Sequence, residues 1–261
     1  MGGGEMKGRA IYAYCIVAGV SPDRLERAPR GVPDGSPPRL LSIADGIDLV
    51  IADVDASAWS EDVITAGLRD IDWVSERALR HEEMVSFFLD ADALVPMKAF
   101  TIFRSEARAR DHVREREASV RAAIDRVGGC VEWGVRMRFD ERAARVARER
   151  DAAAQKPASG AAFLARKKQI ADATRGARVE AAEVASAIVE RLAAPARAHL
   201  RIPPPEGSPT QLVAEAALLV PHDAQAELER IAEEARAELA RYGVDLELNG
   251  PWAPYHFSRG A

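Results

Sequence analysis

Asp45-Gly46 separates two apolar runs, 39–44 and 47–54. An Asp-Gly pair between such runs specifies a tight hairpin, because glycine accepts the positive φ that a two-residue turn requires. A chain with this hairpin must build a sheet around it. Residues 10–17 supply a further strand, and a Pro/Gly-rich loop follows with room for one helical turn near 22–27. Ser60 is placed to cap a helix carrying Val63, Ile64, Leu68 and Ile71 at helical spacing. Val74, Ala78, His81, Val85 and Phe88 form the stripe of a second helix or a continuation of the first, and residues 93–103 are apolar again, with Pro96 at an edge or irregular position. Strand, short helix, strand, strand, helix, strand is the βαββαβ order of a ferredoxin-like fold.

From Ser105 the chain becomes heavily charged. Residues 105–127 spell a helix with a thin apolar line at Val113, Val120, Ile124 and Val127, stopped by Gly128-Gly129. Residues 130–139 alternate, with Val131, Trp133, Val135, Met137 and Phe139 on one face, as in a half-buried antiparallel strand. Two charged, alanine-rich segments, 140–151 and 161–194, flank a Lys-Pro-Ala-Ser-Gly break at 156–160. They are expected to form a protruding antiparallel hairpin, solvated and mobile at its tip, with Val184, Ile188 and Leu192 as its clearest stripe. Strands at 198–202, 211–220 and 244–248, with an amphipathic helix at 223–242, complete a second βαββαβ order. The expected fold class is α+β: two ferredoxin-like domains, 1–103 and 104–261, joined by a charged helix, the second expanded by the helical hairpin. No sequence-level repeat relates the halves.

Composition narrows the function. The 261 residues carry 36 basic and 41 acidic side chains, a balance opposed to dedicated nucleic-acid binding. An apolar share of 48% suffices for a sizeable core. Cys15 and Cys130 form no CxxC or Cys/His cluster, so neither a disulfide framework nor a structural zinc site is expected. The apolar run after Lys7 and Arg9 alternates aromatic and small residues, unlike a signal peptide, and no segment reaches the roughly 18 apolar residues of a membrane span. The expected location is cytoplasmic. Nucleotide-loop, zincin and nucleophile-elbow fingerprints are absent.

Two clusters stand out. His81-Glu82-Glu83 could serve a metal- or acid–base-dependent enzyme, but His81 shares the apolar stripe of its helix while Glu82 and Glu83 point elsewhere. A structural histidine hydrogen-bonded inside the core is the plainer expectation, with no cofactor and no metal. The second cluster is the tail. Trp252, Tyr255 and Phe257 lie within six residues of a chain holding fifteen aromatics, and Pro251 and Pro254 stiffen the segment. Rings so held either cover the protein's own sheet or offer a partner a preformed apolar surface.

Several segments together resemble the GvpL/GvpF family of gas vesicle proteins. They are residues 11–17 (Ile-Tyr-Ala-Tyr-Cys-Ile-Val), 81–85 (His-Glu-Glu-Met-Val), 95–103 (Val-Pro-Met-Lys-Ala-Phe-Thr-Ile-Phe), 131–135 (Val-Glu-Trp-Gly-Val), 159–166 and the tail 249–257 (Asn-Gly-Pro-Trp-Ala-Pro-Tyr-His-Phe). The resemblance spans nearly the whole length, and the tail is its most specific piece. Lys98-Ala99 stands where the family tends to an Arg-Phe-Gly type of sequence, and Ala253 replaces a proline. The resemblance implies a non-enzymatic accessory or minor structural protein of gas vesicle assembly, binding the small hydrophobic shell protein and, by extension, other gas vesicle accessory proteins. Under that reading Trp252, Tyr255, Phe257, Pro251 and Pro254 are the candidate partner-binding residues. A generic interaction scaffold acting through the helical hairpin is a further alternative.

Overall fold

A computed structural model describes residues 8–153, 160–203 and 211–259, with side chains described outside 151–175. The chain divides into two compact units. The first comprises residues 1–131 and 252–261, the second residues 132–251.

The first unit is built on β1 (Arg9–Ala18). The Asp45-Gly46 turn joins β2 (Arg39–Ala44) to β3 (Ile47–Asp55) as an antiparallel hairpin, with Gly46 at φ 71°. β3 pairs antiparallel with β1, and β1 in turn pairs with β4 (Ala93–Pro96), giving the order β2-β3-β1-β4. Residues 22–27 form one short 3₁₀ segment, as the sequence suggests. Ser60 caps α1 (Glu61–Gly67) by accepting from the Val63 N–H, and the Asp70 carboxylate caps α2 (Ile71–Ser86).

The expected strand over 93–103 is broken. Pro96 ends β4, and the chain leaves the ladder before rejoining β1 as β5 (Ile102–Phe103). Phe100 sits at φ 64° within the interruption. The single charged helix expected over 105–127 is likewise two helices, α3 (Glu106–Arg114) and α4 (Glu117–Val127). Nor do they act as a linker. Ala109, Val113, Val120, Ala123 and Val127 are buried, with α3 against β2 and β1 and α4 against β4. α2 covers the opposite face, where Tyr12 and Tyr14 join Met84, Val85 and Phe88. A strand covered on both faces must be apolar throughout rather than alternating, and β1 is buried from Ala10 to Val17. The division expected between 103 and 104 is therefore displaced: α3, α4 and the C-terminal tail all belong to the first unit.

The second unit has the sheet order β7-β8-β6-β9, from β6 (Cys130–Phe139), β7 (Ala198–Arg201), β8 (Leu212–Pro221) and β9 (Val244–Trp252). β9 runs four residues beyond the expected end at 248, past Pro251. The two long helices are α5 (Glu141–Ala153) and α6 (Gly160–Ala193); of the break expected at 156–160, Gly160 opens α6, and the remainder, with the expected mobile tip, lies outside the described residues. The C-terminal half of α6 is not a solvated projection. Ala177, Ala181, Ala185, Ile188, Val189 and Leu192 are buried, and the helix packs on β8, α5 and α7 (Gln225–Leu239). Half of these residues, Ala177, Ala181 and Ala185, are alanines, which continue the buried face N-terminal to Ile188 and Leu192 without a conspicuous run of large side chains. A 3₁₀ turn, Ala240–Tyr242, and Gly243 at φ 68° connect α7 to β9.

Candidate functional site: a closed histidine cluster and an anchored aromatic tail

In the first unit His81 is 2% exposed and has protein partners at both ring nitrogens. The Met97 carbonyl, 3.1 Å from Nε2, can only accept, so the proton resides on Nε2 and Nδ1 is left as an acceptor. Nδ1 accepts from the Tyr12 hydroxyl at 3.0 Å, and that hydroxyl oxygen accepts from the Phe100 N–H at 3.1 Å. Burial lowers the His81 pKa to about 4, in keeping with a neutral ring. Tyr14 stacks on His81 with ring centroids 5.8 Å apart, and its own hydroxyl accepts from the Val32 N–H. Burial raises the Tyr14 pKa to about 12 and pushes Tyr12 up as well.

The cluster continues outward. Trp59 meets Tyr12 edge-on, Trp73 stacks nearly parallel on Phe100, and the Arg77 guanidinium lies 4.0 Å from the Trp73 ring centroid. These contacts tie the loop between β4 and β5 to α2. They explain why the ladder is interrupted there: Met97 and Phe100 turn their backbone groups toward His81 and Tyr12.

The residues of His81-Glu82-Glu83 diverge. His81 faces the core, Glu82 accepts from the Tyr255 hydroxyl at 2.8 Å, and Glu83 pairs with Arg80. Their polar atoms converge on no common point where a substrate atom could sit. Among the described residues no group of three His, Cys, Asp or Glu side chains is placed to hold a metal. Cys15 is fully buried, and burial raises its pKa, the opposite of an activated thiol.

The tail returns to the first unit, with its candidates in contrasting positions. Phe257 and Pro254 are buried, as is Ala253, which joins the core of the first unit. Tyr255 is half-buried and held by Glu82, and burial followed by that carboxylate raises its pKa. The Phe257 carbonyl accepts from Arg126 at 2.6 Å. Pro251 is exposed, and Trp252 is 46% exposed. Trp252 and its neighbour Pro251 thus stand out at the start of a segment whose later apolar groups, from Ala253 to Phe257, are packed inward. Sequence spacing does not reveal that Glu82 anchors the tail. Nor does it show that Tyr12 and the Met97 carbonyl complete the histidine cluster, because the first pairing depends on the phase of β1 against α2 and the second on the path of the loop after β4.

Two antiparallel sheets, each with helical cover, and an aromatic tail packed onto the first unit define the class: a two-unit α+β protein with an internally satisfied histidine cluster. The chain belongs to the gas vesicle synthesis protein GvpL/GvpF family, whose model it matches over residues 10–259. It is 29% identical over 257 residues to gas vesicle protein L of Streptomyces sp. (strain CB03234), covering 96% of this chain and 93% of that one. The crystal structure of the gas vesicle protein GvpF from Anabaena sp. PCC7120 has a similar fold, with TM-score 0.68 at 15% identity, covering 97% of this chain and 99% of the other. GvpF from Microcystis aeruginosa is similar at TM-score 0.64 and 15% identity, covering 96% and 99%. No described helix is long and apolar enough to cross a membrane.

Proposed function

We propose that this chain is a cytoplasmic, non-enzymatic accessory or minor structural protein of gas vesicle assembly that engages the hydrophobic shell protein through apolar contact. Membership of the family supports the gas vesicle role. Both sheets have the strand order of ferredoxin-like domains, which supports assigning that architecture to each unit. One observation carries the binding reading: the exposed Trp252 ring opens a tail otherwise fixed by Phe257, Tyr255 and Glu82. A ring presented from a fixed base loses little entropy on docking. Tyr255, Phe257, Pro251 and Pro254 then act with it in different ways, Pro251 beside the ring and the others as its support. The experiment is equilibrium binding of the purified protein to the shell protein between about 50 and 500 mM salt, where exposed charge pairs are progressively screened. Affinity should change by less than about threefold if apolar contact dominates. A collapse of binding at high salt would assign recognition to charge, and absence of binding at every salt would remove the shell-protein reading.

A further inference from the structure

The second unit carries an open groove of about 650 Å³ between α5 and the end of α7. Ala143, Val146 and Ala147 line one wall and Ala237 and Ala240 the other. Val146 is 53% exposed. At the rim stand Arg142 and Arg150 on α5 and Arg241 beyond α7. Elsewhere in this unit Arg136, Arg148, Arg191, Arg201 and Arg230 each meet a carboxylate. The three rim arginines form no ion pair among the described residues. The carboxylate in the described lining, Asp140, accepts from the Arg142 and Ala143 N–H groups and is occupied as the cap of α5.

We propose that this groove docks an amphipathic helix of a partner protein, one whose small or aliphatic stripe is flanked by carboxylates about two turns apart. Charge complementarity selects that occupant. Arg142 and Arg150 are eight residues apart on one helix, about 12 Å along its axis. Cations so separated do not converge on a single phosphate, but they match acidic residues about two turns apart on a helix. The walls are helical and offer no open ladder to an extended strand. Alanines at 143, 237 and 240 let a third helix approach closely, while Val146 supplies apolar area to bury.

The groove is also held in shape. Asp140 N–H donates to the Gly243 carbonyl at 2.8 Å. A Cβ added at Gly243 would lie 2.4 Å from the Ala144 backbone nitrogen. The α7–β9 turn is therefore fitted against α5 at backbone distance, so little rearrangement opposes docking. The proposal is independent of the shell-protein reading: it concerns another surface and an interaction weakened by salt.

The test uses the full-length protein and two synthetic helical peptides of about 20 residues. Both carry one Leu/Ala stripe, flanked by Glu in the first and by Lys in the second. Fluorescence anisotropy should show the Glu peptide binding at least tenfold more tightly than the Lys peptide, with affinity falling as salt rises. The double variant Arg142→Glu, Arg241→Glu should reverse that preference. Ala147→Trp, which fills the groove, should abolish binding of the Glu peptide to the otherwise wild-type protein. Melting curves identify any variant that fails to fold, and the charge reversal at exposed positions gives a readout that does not depend on Ala147→Trp. Equal affinity for the two peptides, absence of binding, or unchanged preference in the folded double variant would overturn the proposal. So would displacement of the Glu peptide by millimolar inorganic phosphate at constant ionic strength, which would mark a simple anion site.

Discussion

His81 shows how a titratable residue becomes a fixed part of a core. Its Nε2 proton is committed to the Met97 carbonyl and its Nδ1 lone pair to Tyr12. Removing the ring leaves the Tyr12 hydroxyl without its acceptor and opens space between two tyrosines. His81→Ala should therefore cost about 2–4 kcal/mol in denaturant unfolding, more than the 1–2 kcal/mol typical of a partly buried polar contact. The folded pKa of about 4 lies below the ordinary value near 6.5. Between those values the unfolded chain binds the extra proton, so stability from this group is complete above about pH 6.5 and declines as pH falls towards 4. Unfolding measured at several pH values should show wild type losing up to about 1.4 kcal/mol per pH unit more than His81→Gln in that window. Identical slopes would contradict a neutral, buried His81. The stripe on α2 already predicts the buried position of this residue; its partners come from a loop and a strand 16 and 69 residues away, which helical periodicity cannot specify.

At the scale of elements, the tail is an anchored segment rather than a loose aromatic patch. Tyr255→Phe removes one hydrogen bond to a half-exposed carboxylate and should cost about 0.5–1.5 kcal/mol, whereas Phe257→Ala empties a buried site and should cost about 3–5 kcal/mol. Trp252→Ala, exposed, should stay within about 0.5 kcal/mol of wild type. Thermal melting of the three variants should reproduce that order; equal losses would mean that Trp252 is part of the core. Gly243→Ala meets both a left-handed φ and the backbone of α5, and should destabilise the second unit by about 2 kcal/mol or more. Most strands and helices are legible in the sequence because their patterns have a period: the Asp-Gly hairpin, the alternation of β6 and the stripe of α2. The exceptions have physical causes. The interruption between β4 and β5 serves His81 and Tyr12. Half of the described buried face of α6 consists of alanines, and α3 and α4 cover a sheet face that their charged sequence leaves inconspicuous.

For the whole molecule, the two sheets share one strand order, yet the units do not divide where composition changes. The shift at Ser105 marks charged helices, not a boundary, because their thin apolar lines are wide enough to cover β1, β2 and β4. The tail's return to the first unit is decided by pairings with Glu82 and Arg126, far away in the sequence. The same division separates two kinds of surface, an exposed tryptophan in the first unit and an arginine-rimmed groove in the second. The central claim is that shell-protein binding depends on Trp252. The most direct measurement is the dissociation constant of the shell protein for wild type and Trp252→Ala, with circular dichroism and melting showing the variant folded. The account predicts a loss of about tenfold or more. An unchanged dissociation constant in the folded variant would contradict it.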